Sequence, residues 1–250
     1  MIPQRFNRVA RVFGGDVMAA IQSSRVIVFG IGGVGGWTAE ALVRSGIGTI
    51  TIVDADSVAE SNINRQPMAF DSTIGKPKVD VMKRRLLDIN PDVTVTAIER
   101  RFTIDNADDF NIGEYDYVID AIDSLADKAS LIVTATSTPG VSLFSSMGAA
   151  LKTDPTRVEV AEFSKVKGCR LAAALRQRFK RTGIYPRRKF RCVYSEESRR
   201  NVMDVEDDTS DAMTFGHVVT NGALVTVTAT FGMTLASLVL NDIARKIPHS

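Results

Sequence analysis

Gly30-Ile31-Gly32-Gly33-Val34-Gly35 follows a short apolar, β-branched run, Arg25 to Phe29, and precedes a segment of helical character, Trp37 to Ser45. A G-x-G-x-x-G turn between a strand and a helix lets backbone approach phosphate closely. The helix N-terminus adds a field that favours anions. Asp54 ends the next apolar run, Thr49 to Val53, where a carboxylate can bind ribose hydroxyls. Gly30, Gly32, Gly33, Gly35 and Asp54 therefore point to a nucleotide without saying which one. An NAD-dependent oxidoreductase, an ATP enzyme and a non-catalytic nucleotide-binding module all remain open at this point.

The residues that follow favour a phosphate undergoing attack. Asp56, Asn62, Arg65, Gln66 and Lys78 fall between the second strand and the next helix, at the edge of the sheet where open α/β folds bind ligands. A dinucleotide needs few cations there. A triphosphate under attack needs several, because charge builds on the phosphate oxygens and on the leaving pyrophosphate. Arg65 and Lys78 suit that task, and Asn62 can donate to phosphate or ribose. Asp120 and Asp123 flank the end of a further strand, in VIDAIDS, where a carboxylate can hold Mg²⁺ beside the phosphates. Singly, each has a bland alternative as a helix cap or a solvated charge; together at one sheet edge they form a set.

These side chains must be positioned by elements that the pattern also predicts. Apolar Val79, Met82, Leu86 and Ile89 recur at three- and four-residue spacing, so Lys76 to Ile89 is expected to be an amphipathic helix ended by Asn90-Pro91. Val93 to Ile98, Tyr117 to Asp120 and Val141 to Phe144 read as strands, and Leu125 to Ser137 as a helix. Alternating strands and helices predict an α/β, Rossmann-like, doubly wound and mostly parallel sheet. After Asp154 the rhythm weakens to an edge strand near Arg157 to Phe163 and an irregular C-terminal extension. The expected organisation is a single domain over residues 1–250, with a nucleotide-binding core at about 20–150 and a substrate-contacting part at about 151–250.

The series Arg5-Phe6-Asn7-Arg8, Gly30 to Gly35, Asp54-x-Asp56, Asn62-x-x-Arg65-Gln66, Gly75-x-Pro77-Lys78 and Asp120-x-x-Asp123 resembles the ubiquitin-activating-type, or ThiF-type, superfamily of adenylating enzymes. The resemblance spans Arg5 to Gly148. It implies that Gly32, Asp54, Asn62, Arg65 and Lys78 bind ATP and that Asp123 lies beside magnesium and the phosphates. It also implies a homodimer in which Arg8 reaches the ATP of the other subunit. Such enzymes use a substrate carboxylate to attack the α-phosphate, giving an acyl-adenylate and pyrophosphate. ATP with Mg²⁺ is thus the implied pair, and a monovalent cation stands as a further candidate.

Two branches of that superfamily fit differently. Activators of sulfur-carrier proteins usually hold zinc in two C-x-x-C pairs, whereas Cys169 and Cys192 are the only cysteines here, so no zinc is expected. Thr156 to Leu175, Phe190 to Glu197 and Thr220 to Phe231 are more similar to the tRNA threonylcarbamoyladenosine dehydratase branch. That resemblance implies ATP-dependent ring closure on a tRNA adenosine, with a cysteine desulfurase or other sulfur-acceptor system as a candidate partner. Members of the branch can carry a further cysteine before the C-terminal apolar segment; Asp211 to Thr220 has none. Adenylation of the C-terminal glycine of a ubiquitin-like sulfur carrier is the alternative.

Charge placement supports RNA. The formal net charge is only +2, yet from Phe163 to Ser195 there is no acidic residue. That segment carries Lys165, Lys167, Arg170, Arg176, Arg178, Lys180, Arg181, Arg187, Arg188, Lys189 and Arg191, interleaved with Phe179, Tyr185 and Phe190. Arg176, Arg178, Lys180, Arg181, Arg187, Arg188, Lys189 and Arg191 are the candidate RNA-backbone contacts, with aromatics available to unpaired bases. The acidic run from Glu196 to Asp211 is a candidate to fold back on it. Cys192 lies among cations that can activate a thiol, although packing is the commoner fate, and His217 reads as structural. Gly222 to Leu240 is uncharged and long enough to be flagged as a membrane span, but threonines and glycines dilute it and a buried core element fits better. The N-terminal residues, with Arg5, Arg8 and Arg11, lack the apolar core of a signal peptide, so a reducing, cytoplasmic location is expected.

Overall fold

The structure, a computed structural model, describes residues 2–203 and 221–247. His217, the acidic run from Asp204 to Asp211 and the cysteine-free stretch 211–220 lie outside the described residues.

Seven strands form one sheet: β1 (Arg25–Phe29), β2 (Thr49–Val53), β3 (Thr94–Ile98), β4 (Tyr117–Asp120), β5 (Ser142–Ser146), β6 (Glu159–Glu162) and β7 (Arg191–Tyr194). Their spatial order is β3-β2-β1-β4-β5-β7-β6. All pairings are parallel except β6 on β7, which places the expected edge strand at the edge and reverses it. The chain leaves β1 toward β2 on one side and later fills β4 on the other. The carboxyl ends of β1 and β4 therefore part into a crevice, the switch point at which such sheets bind ligands.

Period-two alternation sends Val26 and Val28 to one face of the sheet and Ile27 and Phe29 to the other, and both faces are buried. The first face is covered by α2 (Gly15–Ser23), α3 (Gly35–Arg44), α4 (Lys78–Ile89) and α7 (Val225–Lys246). The second is covered by α5 (Leu125–Ser137) and α6 (Arg170–Thr182). A short helix, α1 (Asn7–Phe13), precedes α2.

The uncharged C-terminal segment is α7, and it is long and apolar enough by length and composition to cross a membrane. Its Val227, Phe231, Leu235, Val239 and Ile243 recur every four residues and are all buried in the first core. Gly232 makes this packing feasible: a Cβ there would lie 2.6 Å from the Val34 carbonyl oxygen and 2.7 Å from Trp37 Cβ. The backbones of α3 and α7 approach closely enough for the Thr38 hydroxyl to donate to the Gly232 carbonyl at 3.2 Å. Packing of this face in the first core thus accounts for the apolar run.

Two helices beside the crevice are tied by Glu40 of α3, which is 3% exposed. Its carboxylate accepts from Arg85 of α4 at 2.6 Å and from Arg44 at 2.8 Å. Burial by itself pushes the Glu40 carboxyl up, but Arg85 and then Arg44 outweigh it and hold the group below its ordinary value of 4.5. Because the folded-state pKa is depressed, this contribution to stability is full above that value and is lost as pH falls through the folded-state pKa. Glu40→Gln is expected to flatten the acid limb of Tm against pH; an unchanged limb would refute the assignment.

Candidate active site at the carboxyl edge of the sheet

The glycine turn is built by two very close approaches. Gly30 adopts φ +84°, and a Cβ on it would lie 2.7 Å from the Ala121 carbonyl oxygen, just past β4. A Cβ on Gly35 would lie 1.8 Å from the Gly30 carbonyl oxygen. These two glycines close the turn and seat it on the end of β4. Gly32 and Gly33 have another task. A Cβ on Gly32 would meet nothing nearer than the Gln66 amide nitrogen at 3.9 Å, and Gly33 faces Arg65 Cγ and Thr228. Their backbone borders the space in front of α3, as a phosphate cradle requires.

Asp54 braces this cradle. Its Oδ2 accepts from the Ile31 backbone N–H at 2.6 Å, and its Oδ1 accepts from the Asp56 backbone N–H at 2.9 Å. Burial pushes its carboxyl up, and nearby Lys78 opposes that. Its place at the strand end suits ribose, and the structure also makes it the tie between the glycine turn and the loop after β2. Lys78 opens α4 and is 4% exposed, with its Nζ 2.7 Å from Asp56 Oδ2. A buried ammonium held by one exposed carboxylate is a charge kept ready for an anion.

The 60–66 segment supplies the remaining groups. Asn62 is 1% exposed and its Oδ1 accepts from the Ala59 N–H, which leaves its Nδ2 as a donor. Gln66 is buried, and its Oε1 is a buried side-chain acceptor without a hydrogen bond among the described residues. An orphaned acceptor beside Gly32 costs free energy unless a ligand donor meets it. Arg65 is held over Gly33, with Nη1 donating to the Ser61 carbonyl at 2.8 Å and to Asn64 Oδ1 at 2.9 Å. Its backbone carbonyl accepts from the Trp37 indole at 3.0 Å, which ties the segment to α3.

Across the crevice, the two aspartates separate. Asp120 is fully buried, accepting from Lys128 Nζ at 2.9 Å and from the Ser145 hydroxyl at 2.6 Å. Both its oxygens are taken up by hydrogen bonds within the core, which leaves Asp123 as the carboxylate of the pair that is open to a cation. Asp123, three residues on, is exposed. Among the described residues no cluster of three acids, histidines or cysteines forms a self-sufficient metal site. A single exposed carboxylate beside a phosphate cradle does fit Mg²⁺, which takes one or two carboxylates and completes its shell with phosphates and water.

The structure therefore brings Gly30, Gly32, Gly33, Gly35, Asp54, Asp56, Asn62, Arg65, Gln66, Lys78 and Asp123 to one edge. Arg8 is not among them: it is exposed on α1, without an ion-pair partner among the described residues. Nor are the cations from Arg176 to Arg191. Arg187 to Arg191 lead into β7 beside Phe144 and the end of α5, at the amino edge of the sheet. Arg188 donates to the carbonyls of Ala135, Thr136 and Thr138, and Arg176 to those of Phe163 and Val166. Arg191 lies over the Phe144 ring. Cys192 is fully buried and burial pushes its thiol up, while Cys169 is 6% exposed; packing is the fate of both. Thr228 and Lys128 border the site without any sequence signal, since one lies in the apolar run and the other reads as a helix surface charge.

Comparison with known proteins bears on the whole chain. The model of the ThiF family matches residues 6–249. A tRNA threonylcarbamoyladenosine dehydratase of Haemophilus influenzae is 37% identical, covering 97% of this chain and 94% of that protein. One of Bacillus subtilis is 41% identical, covering 78% of this chain and 75% of that protein. The crystal structure of the Escherichia coli tRNA N6-threonylcarbamoyladenosine dehydratase in complex with ATP superposes with a TM-score of 0.84 at 36% identity, covering 97% of this chain and 95% of that one.

Proposed function

Because the chain belongs to the ThiF family, we propose that it is an ATP-dependent tRNA threonylcarbamoyladenosine dehydratase. The observation that carries this reading is that similarity to dehydratases covers 97% of the chain, so it includes the C-terminal third beyond the shared nucleotide core. The reaction joins the threonyl carboxylate to the α-phosphorus of ATP, breaking the bond to pyrophosphate. The carbamoyl oxygen then attacks the activated acyl carbon. AMP departs with one carboxylate oxygen, a carbamoyl proton is lost, and the ring closes with net loss of water. No enzyme thiol is needed, in keeping with two buried cysteines.

In this reading the backbone of Gly32 and Gly33 and the start of α3 hold the phosphates. Lys78 and Arg65 offset the charge that develops on the α-phosphate and on pyrophosphate. Asn62 Nδ2 and Gln66 Oε1 offer a donor and an acceptor to the nucleoside. Magnesium, held by Asp123 and the phosphates, would neutralise the leaving group. Arg8 serves the site of a second copy in a homodimer. Support for that pairing comes from the exposed Ile63, Leu224 and Val225, which flank the Asn64–Ala223 hydrogen bond beside the site and offer apolar surface for a partner copy. The substrate places the enzyme in the cytoplasm.

Mass spectrometry of tRNA nucleosides after incubation with enzyme and ATP tests the proposal. Loss of one water from threonylcarbamoyladenosine, with AMP and pyrophosphate formed, is the expected result. Unaltered nucleoside together with ATP–pyrophosphate exchange that depends on a Gly-Gly-ended carrier protein would replace it with sulfur-carrier activation.

A further inference from the structure

The basic segment does not line the proposed reaction site. α5 and α6 both run from the carboxyl edge of the sheet to its amino edge, and residues 183–190 then lead into β7. Between the end of α6 and this segment lies a cleft of about 570 Å³. Its floor is aromatic: Phe163 stacks on Phe190 at 5.1 Å and meets Phe179 edge-on at 6.0 Å. Its rim is cationic. Lys180 and Arg187 are exposed, and their side chains have no hydrogen-bond or ion-pair partner among the described residues. Lys189 stands 3.6 Å from Glu162, the only acid lining the cleft among the described residues. Tyr185, also on the rim, is 54% exposed.

Such a surface is suited to one kind of occupant. Cations unpaired among the described residues, beside one exposed aromatic ring, Tyr185, that is backed by buried Phe163, Phe179 and Phe190, match a polyanion that also carries flat rings, which is single-stranded or looped RNA. The strands are four to five residues long, at about 3.3 Å per residue, and β7 lies three strands from β1 at about 4.8 Å each. These spacings put the cleft on the order of 20 Å from the glycine turn. We propose that this cleft is a remote RNA contact, which grips the tRNA backbone about that far from the adenosine being modified, with the Tyr185 ring open to an unpaired base. The inference rests on the dehydratase reading for the identity of the RNA. What it adds is that substrate capture and chemistry occur at opposite edges of one sheet.

The test uses the full-length enzyme and the Lys180→Glu/Arg187→Glu variant, whose changes fall on exposed side chains far from the ATP site. Two RNAs are compared: full-length tRNA, and a hairpin of a few base pairs bearing the same modified adenosine and too short to reach the cleft. In the variant, affinity for full-length tRNA by fluorescence anisotropy is expected to fall about tenfold or more, and the slope of log affinity against log salt to shrink by about two. The hairpin's KM, the ATP KM and kcat are expected to stay as in the wild type. Tyr185→Ala is expected to weaken tRNA binding without changing the salt slope. Equal losses for both RNAs would place the cleft beside the reacting nucleotide and overturn the proposal. Unchanged tRNA affinity would also overturn it and leave the cleft to a protein partner or to solvent. Salt-dependent tRNA binding that is lost in the variant, by a wild-type enzyme that dehydrates nothing, would leave the cleft standing and remove the dehydratase reading instead.

Discussion

Arg65→Ala is expected to lower kcat/KM for ATP-dependent dehydration by about 10²–10³-fold, the usual cost of losing a preorganised group aimed at charge developing in a transition state. Arg65 is the half-exposed cation over Gly33, oriented by the Ser61 carbonyl and Asn64 Oδ1. Its guanidinium is free to turn more of its donors toward an anion in the cradle. The loss should appear mainly in kcat, because the charge it offsets is greatest after attack has begun. Two controls separate this from loop disorder. Asn64→Ala removes one orienting acceptor and should cost far less. Arg65→Lys keeps the charge but loses the planar fork, and should recover part of the rate. Wild-type turnover in Arg65→Ala, measured as pyrophosphate release, would take Arg65 out of the chemistry altogether.

Lys128→Met is expected to destabilise the fold by about 3–5 kcal/mol, because it strands a fully buried carboxylate. Lys128 and Asp120 are both without solvent exposure, and Lys128 Nζ also donates to the Ile122 carbonyl at 2.9 Å. Asp120 Oδ1 accepts in turn from the Ile122 N–H at 3.2 Å. One ion pair thus fixes the turn that carries Asp123 and that abuts Gly30. Changing both partners, as Lys128→Met/Asp120→Leu, should recover much of the stability measured by denaturant unfolding, since no unpaired charge remains. It should not recover ATP affinity, because the Ile122 carbonyl and N–H lose their anchor. A single Lys128→Met variant as stable as the wild type would show that the pair does not carry this load.

Much of the site is legible in the sequence. The glycine turn, Asp54, Arg65 and Lys78 are local signals: each is a residue type at a fixed distance from a strand end, and strand ends are marked by β-branched runs and glycines. The strands and helices from Arg25 to Ser146 follow the same periodicities, with boundaries shifted by one or two residues at caps. The aspartates at the end of β4 show where local reading stops. Asp120 and Asp123 look alike in sequence, yet only Asp120 meets Lys128 and Ser145, which come from a different turn of helix and a neighbouring strand. The same holds for α7, whose apolar run fits a membrane or a core until Gly232 is seen against α3.

By itself, then, the sequence determined a doubly wound sheet with a phosphate-binding turn and a segregated block of positive charge, because periodicity, turn chemistry and charge are properties of neighbouring residues. Only the tertiary structure decided which carboxylate is spent in the core and which is left exposed, and that the cations from Arg187 to Arg191 lie at the far edge of the sheet from the glycine turn. Those outcomes depend on strand order and on the direction of each crossover, and both are set by packing between residues that are distant along the chain.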